Sequence, residues 1–216
     1  MTAFKLAIFD CDGVLVDSER LTCQVLTECL AEQGLEMDER EVLRLFVGKS
    51  IPRSIEMVSE MLGVEPSEEM WPAFAQRANA RLAAEVQAVR HIDVALSQLN
   101  LPYCVASNGD FAKMNVTLGT SGLLPLFEGK MFSATQVGQG KPAPDLFLLA
   151  AKSMGFAPQD CVVIEDSPTG IQAAVAAGMT PFGYAEHMPP AILREAGAVH
   201  IFDDMALLPD LIQNYS

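Results

Sequence analysis

The chain has 216 residues, half of them apolar and 19% charged, with Lys+Arg 14 against Asp+Glu 28 and a formal net charge of -14. That composition can bury a sizeable core and is far from a disordered one. The negative field disfavours a phosphate backbone or an anionic lipid surface, so neither nucleic acid nor membrane is expected as a partner; an anionic small molecule is still admitted, because one or two cations in a pocket outweigh a distant, screened field.

The opening segment MTAFKLAIFDCDG has no basic n-region, and Asp10 cuts its apolar run, so neither a signal peptide nor an anchor is expected there. No apolar run approaches the length of a membrane span. The five cysteines, Cys11, Cys23, Cys29, Cys104 and Cys161, are odd in number and lack CxxC spacing. They predict reduced, buried thiols in a cytoplasmic protein rather than a disulfide framework or a zinc site.

Short apolar runs ending in polar or turn-forming residues predict buried strands over 5–9, 103–107, 130–133, 161–165, 180–184 and 199–202. Helical patterns alternate with them. One covers 145–154, with Leu146, Leu149, Ala150 and Met154 facing one way; another covers 167–177, with Ser167 as N-cap and Pro168 in the first turn. Strand alternating with helix implies an α/β fold, a Rossmann-like parallel sheet with helices on both faces.

Residues 17–86 break this rhythm and read as an inserted α-helical domain of about four helices, leaving 1–16 and 87–216 as the α/β core. Gly34 follows the first of these helices, Asp38 with Glu41 forms a capping box, Ser50 and Pro52 open another, and Pro66 with Ser67 opens the last. Trp71, Met57 and Met61 are expected to fill the core of this insertion. The sequence contains no internal repeat and no low-complexity tract.

The chemistry begins in the run LAIFDCDGV, where a strand leads straight into Asp10 and Asp12, followed by Gly13. In an open α/β sheet ligands bind beyond the carboxyl ends of the strands, so both carboxylates stand at the mouth of the sheet. Two adjacent carboxylates call for a cation, and a hard oxygen-seeking ion such as Mg²⁺ suits them. An EF-hand calcium loop is excluded because its sixth position requires glycine and here is Leu15. Cys11, between the aspartates, reads as a packed thiol, and His91, His187 and His200 have no metal-ligand spacing.

The run DCDGVL (10–15) resembles the first motif of the haloacid dehalogenase superfamily, in its phosphatase and phosphomutase branch. Three further runs match in order: YCVASNG with Ser107 and Asn108, GKPAPDLF with Lys141 between Gly140 and Pro142, and VVIEDSPTG with Glu165 and Asp166. Pro142 and Pro144 stiffen the loop that presents Lys141. The resemblance spans the whole chain and implies a cytoplasmic phosphatase acting on a small phosphate ester, as a monomer or small homo-oligomer, with the insertion as a cap. It assigns Asp10 as the nucleophile that forms an aspartyl-phosphate and Asp12 as the acid that protonates the leaving oxygen and later activates water. It gives Mg²⁺ to the Asp10 carboxylate, the Asp12 backbone carbonyl and the Asp166 carboxylate, with Glu165 as an outer or alternate ligand. Ser107, Asn108, neighbouring amides and Lys141 would grip the transferring oxygens.

Asp12 argues against the dehalogenase and phosphonatase branches, which lack an acid at that position, although Lys49 does fall in a cap loop as a phosphonatase lysine would. A β-phosphoglucomutase-like mutase shares every acid, but its second motif reads S-A-S-K-N where this chain has Ser107-Asn108-Gly109-Asp110. A non-catalytic receiver-like phospho-acceptor shares the acids and the lysine but is shorter and lacks the insertion. Substrate choice is expected from the insertion, at Gly48, Lys49 and Ser50 with the following Arg53. These donors suit hydroxyl- and carboxylate-bearing esters such as sugar or sugar-acid phosphates.

Overall fold

The computed structural model describes residues 4–47, 49 and 51–215. Its sheet has six strands, β1 (Leu6–Phe9), β2 (Tyr103–Ser107), β3 (Met131–Ser133), β4 (Cys161–Glu165), β5 (Thr180–Tyr184) and β6 (His200–Phe202). They run in the order β3-β2-β1-β4-β5-β6, with every neighbouring pair parallel. Lys5, Lys130 and Val199, expected as strand residues, stand one residue before the ladder: Lys5 N donates to Asp160 O, Lys130 O accepts from Val105 N, and Val199 N donates to Pro181 O.

Side chains alternate across a strand, so Leu6, Ile8, Cys104, Ala106, Cys161 and Val163 share one face. That face packs under the helices Asp145–Met154 and Pro168–Ala176 through Leu146, Phe147, Ala150, Ala151, Ala173 and Ala174. The other face, with Ala7, Phe9, Val105, Val162 and Ile164, is equally buried. Burial on both faces is why these strands read as unbroken apolar runs. From β1 the chain lays β2 and β3 on one side, then β4 to β6 on the other. The carboxyl ends of β2, β1 and β4 therefore flank the point where strand order reverses, the place where ligands bind in open sheets of this kind.

The insertion leaves and returns through paired segments. Val16 bridges antiparallel to Ala88, Asp17 N donates to Gln87 O at 2.9 Å, and Val89 N donates to Leu15 O at 2.9 Å. By contact density the chain divides into one unit up to Asp17 and from Gln87 onward, and a second unit, Ser18–Val86.

The second unit contains the helices Ser18–Glu32, Glu39–Phe46, Ile51–Leu62 and Met70–Glu85. Leu26, Leu30, Val42, Phe46, Val58, Met70 and Phe74 form its core. The Asp38 carboxylate accepts from Glu41 N at 2.8 Å and caps the second helix. Two expectations fail here. The last helix starts at Met70 rather than at Pro66 and Ser67, because Ser67 N is held by the Gln33 side chain at 3.0 Å and Ser67 O receives Met70 N, forming a turn before the helix. Met57 and Trp71 pack into or against the core, whereas Met61 is 40% exposed in the last turn of its helix. Gly48 and Ser50 lie outside the described residues.

Candidate active site

Asp10 continues the central strand by donating its backbone N–H to Ile164 O at 3.0 Å, so its side chain emerges at the carboxyl edge of the sheet. The backbone then folds tightly, with Leu15 N and Val16 N both donating to Cys11 O. Gly13 makes this turn possible at φ +75°, and a Cβ on it would fall 2.0 Å from Asp166 Oδ2. No L side chain satisfies both the dihedral and the approach.

Lys141 joins the acids of β1 and β4. Its ammonium, on a side chain only 4% exposed, lies 2.5 Å from Asp10 Oδ1 and 2.6 Å from Glu165 Oε1. Glu165 is fully buried, and its other oxygen accepts from Ser167 Oγ at 2.8 Å and Ser167 N at 3.3 Å. Both Glu165 oxygens are thus engaged. Burial pushes the Asp10 carboxyl up to about 7; Lys141 pulls it down, while Glu165 and Asp12 push it further up. Burial pulls the Lys141 ammonium down, but the Asp10 and Glu165 charges more than offset this and hold it above its ordinary value.

The end of β2 supports that lysine. Ser107 is buried, with its Oγ accepting from Gly109 N at 3.0 Å, and Ser133 Oγ donates to Gly109 O at 2.7 Å to fix the turn. The side chain of Asn108, expected among the substrate-binding residues, clamps the Lys141 backbone: Oδ1 accepts from Lys141 N at 2.9 Å and Nδ2 donates to Lys141 O at 3.2 Å. The Lys141–Pro142 peptide is cis.

Sequence reasoning missed Lys113. Its Nζ donates to Asp12 Oδ2 at 2.7 Å from the first turn of the helix Phe111–Thr120, which Asp110 caps by accepting from Lys113 N at 2.8 Å. Burial pulls this ammonium down as well, and Asp12 more than offsets it. A signal was present in the spacing: a cation in the first helical turn opposes the macrodipole and calls for an anionic partner.

Asp10, Glu165 and Asp166 bring ligand oxygens within 4.8 Å of one another, and among the described residues they form the group able to hold a metal ion. Cys11 is buried 4.0 Å from Thr117 Oγ1, and burial pushes its thiol well up, which makes it inert. All five cysteines are buried and free. The histidines lie apart, His91 against Asp204 at 2.7 Å, His187 at 3.7 Å from Asp17, and His200 against Phe182 and Tyr215.

Lys49 and Arg53 belong to the helical unit. Arg53 is paired with Glu56 at 2.9 Å and Glu60 at 3.5 Å along its own helix. Lys49 is exposed and lines a cavity of about 200 Å³ within that unit, beside Glu19, Thr22, Ser54 and Trp71. Gly48, expected beside it, is outside the described residues.

The family model for the haloacid dehalogenase-like hydrolases matches residues 7–183. Over 98% of this chain and 96% of the relative, the sequence is 32% identical to 6-phosphogluconate phosphatase of Escherichia coli strain K12. A haloacid dehalogenase-like protein of unknown function from Agrobacterium tumefaciens, ATU0790, superposes with a TM-score of 0.91 at 35% identity over 97% of both chains. A haloacid dehalogenase family hydrolase of Deinococcus radiodurans R1, crystallised with phosphate and sodium, superposes at 0.85 with 33% identity over 96% of this chain and 94% of that one.

Proposed function

The chain belongs to the haloacid dehalogenase-like hydrolases and is a phosphoric monoester hydrolase; from that premise we propose that it removes phosphate from sugar or sugar-acid phosphates through an aspartyl-phosphate on Asp10, with Mg²⁺ as its ion. The observation that carries this reading is the convergence of Asp10, Asp12, Lys141 and Asp166 on one sheet edge, and we assign Asp12 as the acid that protonates the leaving alkoxide.

Asp10 attacks the phosphorus, the bond to the ester oxygen breaks, and that oxygen leaves with its electron pair and takes the proton of Asp12. Water then attacks the aspartyl-phosphate and gives its proton to Asp12. The Asp10–phosphorus bond breaks, releasing inorganic phosphate and restoring both carboxyls. An ammonium has three donors. Lys141 uses two on Asp10 and Glu165, which leaves one for a phosphoryl oxygen beside Ser107 and the amides that follow it. With its amide held on the Lys141 backbone, Asn108 acts here as a positioning residue.

The donor set suits a hard cation, being carboxylate oxygens within 4.8 Å of one another. Because both Glu165 oxygens are engaged, Asp10 and Asp166 with the Asp12 carbonyl would hold the ion and Glu165 would serve Lys141. When bound, Mg²⁺ supplies charge neutralisation for the phosphoryl group and the carboxylates around it.

The substrate class is supported by the full-length likeness to a 6-phosphogluconate phosphatase, and Lys49 and Arg53 of the insertion are the cations we assign to ester choice. Hydrolysis is favoured over a mutase reaction because Asp110, standing where the mutase motif carries lysine, spends its carboxylate on a helix cap. The test is phosphate release from a panel of phosphorylated metabolites with and without Mg²⁺. Release from sugar or sugar-acid phosphates supports the reading, and a protein that releases none but interconverts phosphosugars overturns it.

A further inference from the structure

Lys113 has no part in the reaction just described, yet it is the partner that fixes the Asp12 carboxylate. One oxygen, Oδ2, receives the ammonium at 2.7 Å. The other, Oδ1, is buried and has no hydrogen-bond partner among the described residues. A buried carboxylate oxygen without a partner is costly, so the orientation of this carboxylate rests on its bond to the ammonium.

Lys113 is itself held in place. Its backbone N–H is fixed by Asp110, its side chain is 38% exposed, and a Cβ on Gly109 would come 3.5 Å from its Cδ, so the stem passes close under the β2 turn. A long side chain in the first turn leans back toward the helix N-terminus, which here faces the sheet edge.

We propose that Lys113 is the positioning residue of the general acid: it pins Asp12 Oδ2 and thereby fixes the carboxyl that exchanges a proton with the ester oxygen and then with water. This rests on the phosphatase reading and deepens it, naming the residue that orients Asp12. No ammonium proton is transferred, since Lys113 keeps its charge throughout and only the Asp12 carboxyl gives and regains a proton.

The role predicts a dependence on the leaving group. A sugar phosphate expels a poor alkoxide and needs a well-aimed acid, whereas p-nitrophenyl phosphate expels a stable phenolate and does not. The experiment compares kcat/KM on both esters, with Mg²⁺ present, for the wild type, Lys113→Met and Lys113→Gln. Removing a cation from a helix N-terminus is electrostatically favourable, so Lys113→Met is expected to fold, as a melting curve checks. For Lys113→Met we expect about 100-fold loss on the sugar phosphate, carried by kcat, and less than about 5-fold on p-nitrophenyl phosphate. Lys113→Gln, which keeps a donor, should fall between. Equal losses on the two esters, no loss on either, or a loss confined to KM would overturn the positioning role while leaving the phosphatase reading intact. A wild type that hydrolyses neither ester would overturn that reading and this proposal with it.

Discussion

Asn108 holds the backbone of Lys141 at both ends of its amide, accepting from Lys141 N at 2.9 Å and donating to Lys141 O at 3.2 Å. The lysine that neutralises Asp10 and Glu165 is thus aimed by a residue on a different strand end. Asn108→Ala should lower kcat/KM by about 10- to 100-fold, because a reactive group displaced by an ångström loses that much. Asn108→Asp, which keeps the acceptor, should retain more activity. An Asn108→Ala protein as active as wild type would show that Lys141 needs no such clamp.

Gly170 lies against the buried Glu165 carboxylate, where a Cβ would fall 1.8 Å from Cδ. Gly170→Ala should destabilise the fold by about 2 kcal/mol or more through overpacking against a buried, ion-paired group. Gly138, with nothing within 4 Å of a Cβ, is the control, and Gly138→Ala should stay within about 0.5 kcal/mol. Urea unfolding of the two variants makes the comparison, and equal midpoints would contradict the packing described.

Burial raises the Asp10 carboxyl from 3.8 to about 7. Between those values the folded, metal-free chain keeps a proton that the unfolded chain has lost. This contribution is therefore fully present below the lower value and is lost as pH rises through the upper one. In EDTA, Asp10→Asn should melt progressively higher than wild type as pH increases from 5.5 to 8. Asp204, lowered by its hydrogen bond from His91, has the opposite sign, its contribution fading as pH falls. A constant difference between wild type and Asp10→Asn across the range would contradict the burial effect.

Chelation should abolish phosphate release, and added Mg²⁺ should restore it, because Asp10 and Asp166 share their site with the buried Glu165 and a single ammonium. Asp166→Asn should raise the Mg²⁺ concentration needed for half-maximal activity at least about 10-fold. Undiminished turnover in excess EDTA would exclude the ion.

The strands were legible because burial on both faces leaves continuous apolar runs, and four motif runs fall at strand ends or in the loop that meets them. Lys141 stood out through the prolines beside it. Lys113 did not, because a lone lysine 101 residues from Asp12 in sequence shows its partner only once β1 and β2 are adjacent. Asn108 stands in a motif run, but the clamp its side-chain amide makes on the Lys141 backbone shows only once the two loops meet. Met61 and the late start at Met70 were misread because helix ends depend on tertiary hydrogen bonds such as Gln33 to Ser67, which periodicity does not encode.

The most direct test of the account is mass spectrometry of protein quenched in acid during turnover of a sugar phosphate with Mg²⁺. A phosphoryl group is expected on the peptide that carries Asp10 and is absent from Asp10→Asn, which should release no phosphate. Wild-type turnover with no label on Asp10, or phosphate release at the wild-type rate by Asp10→Asn, would contradict it.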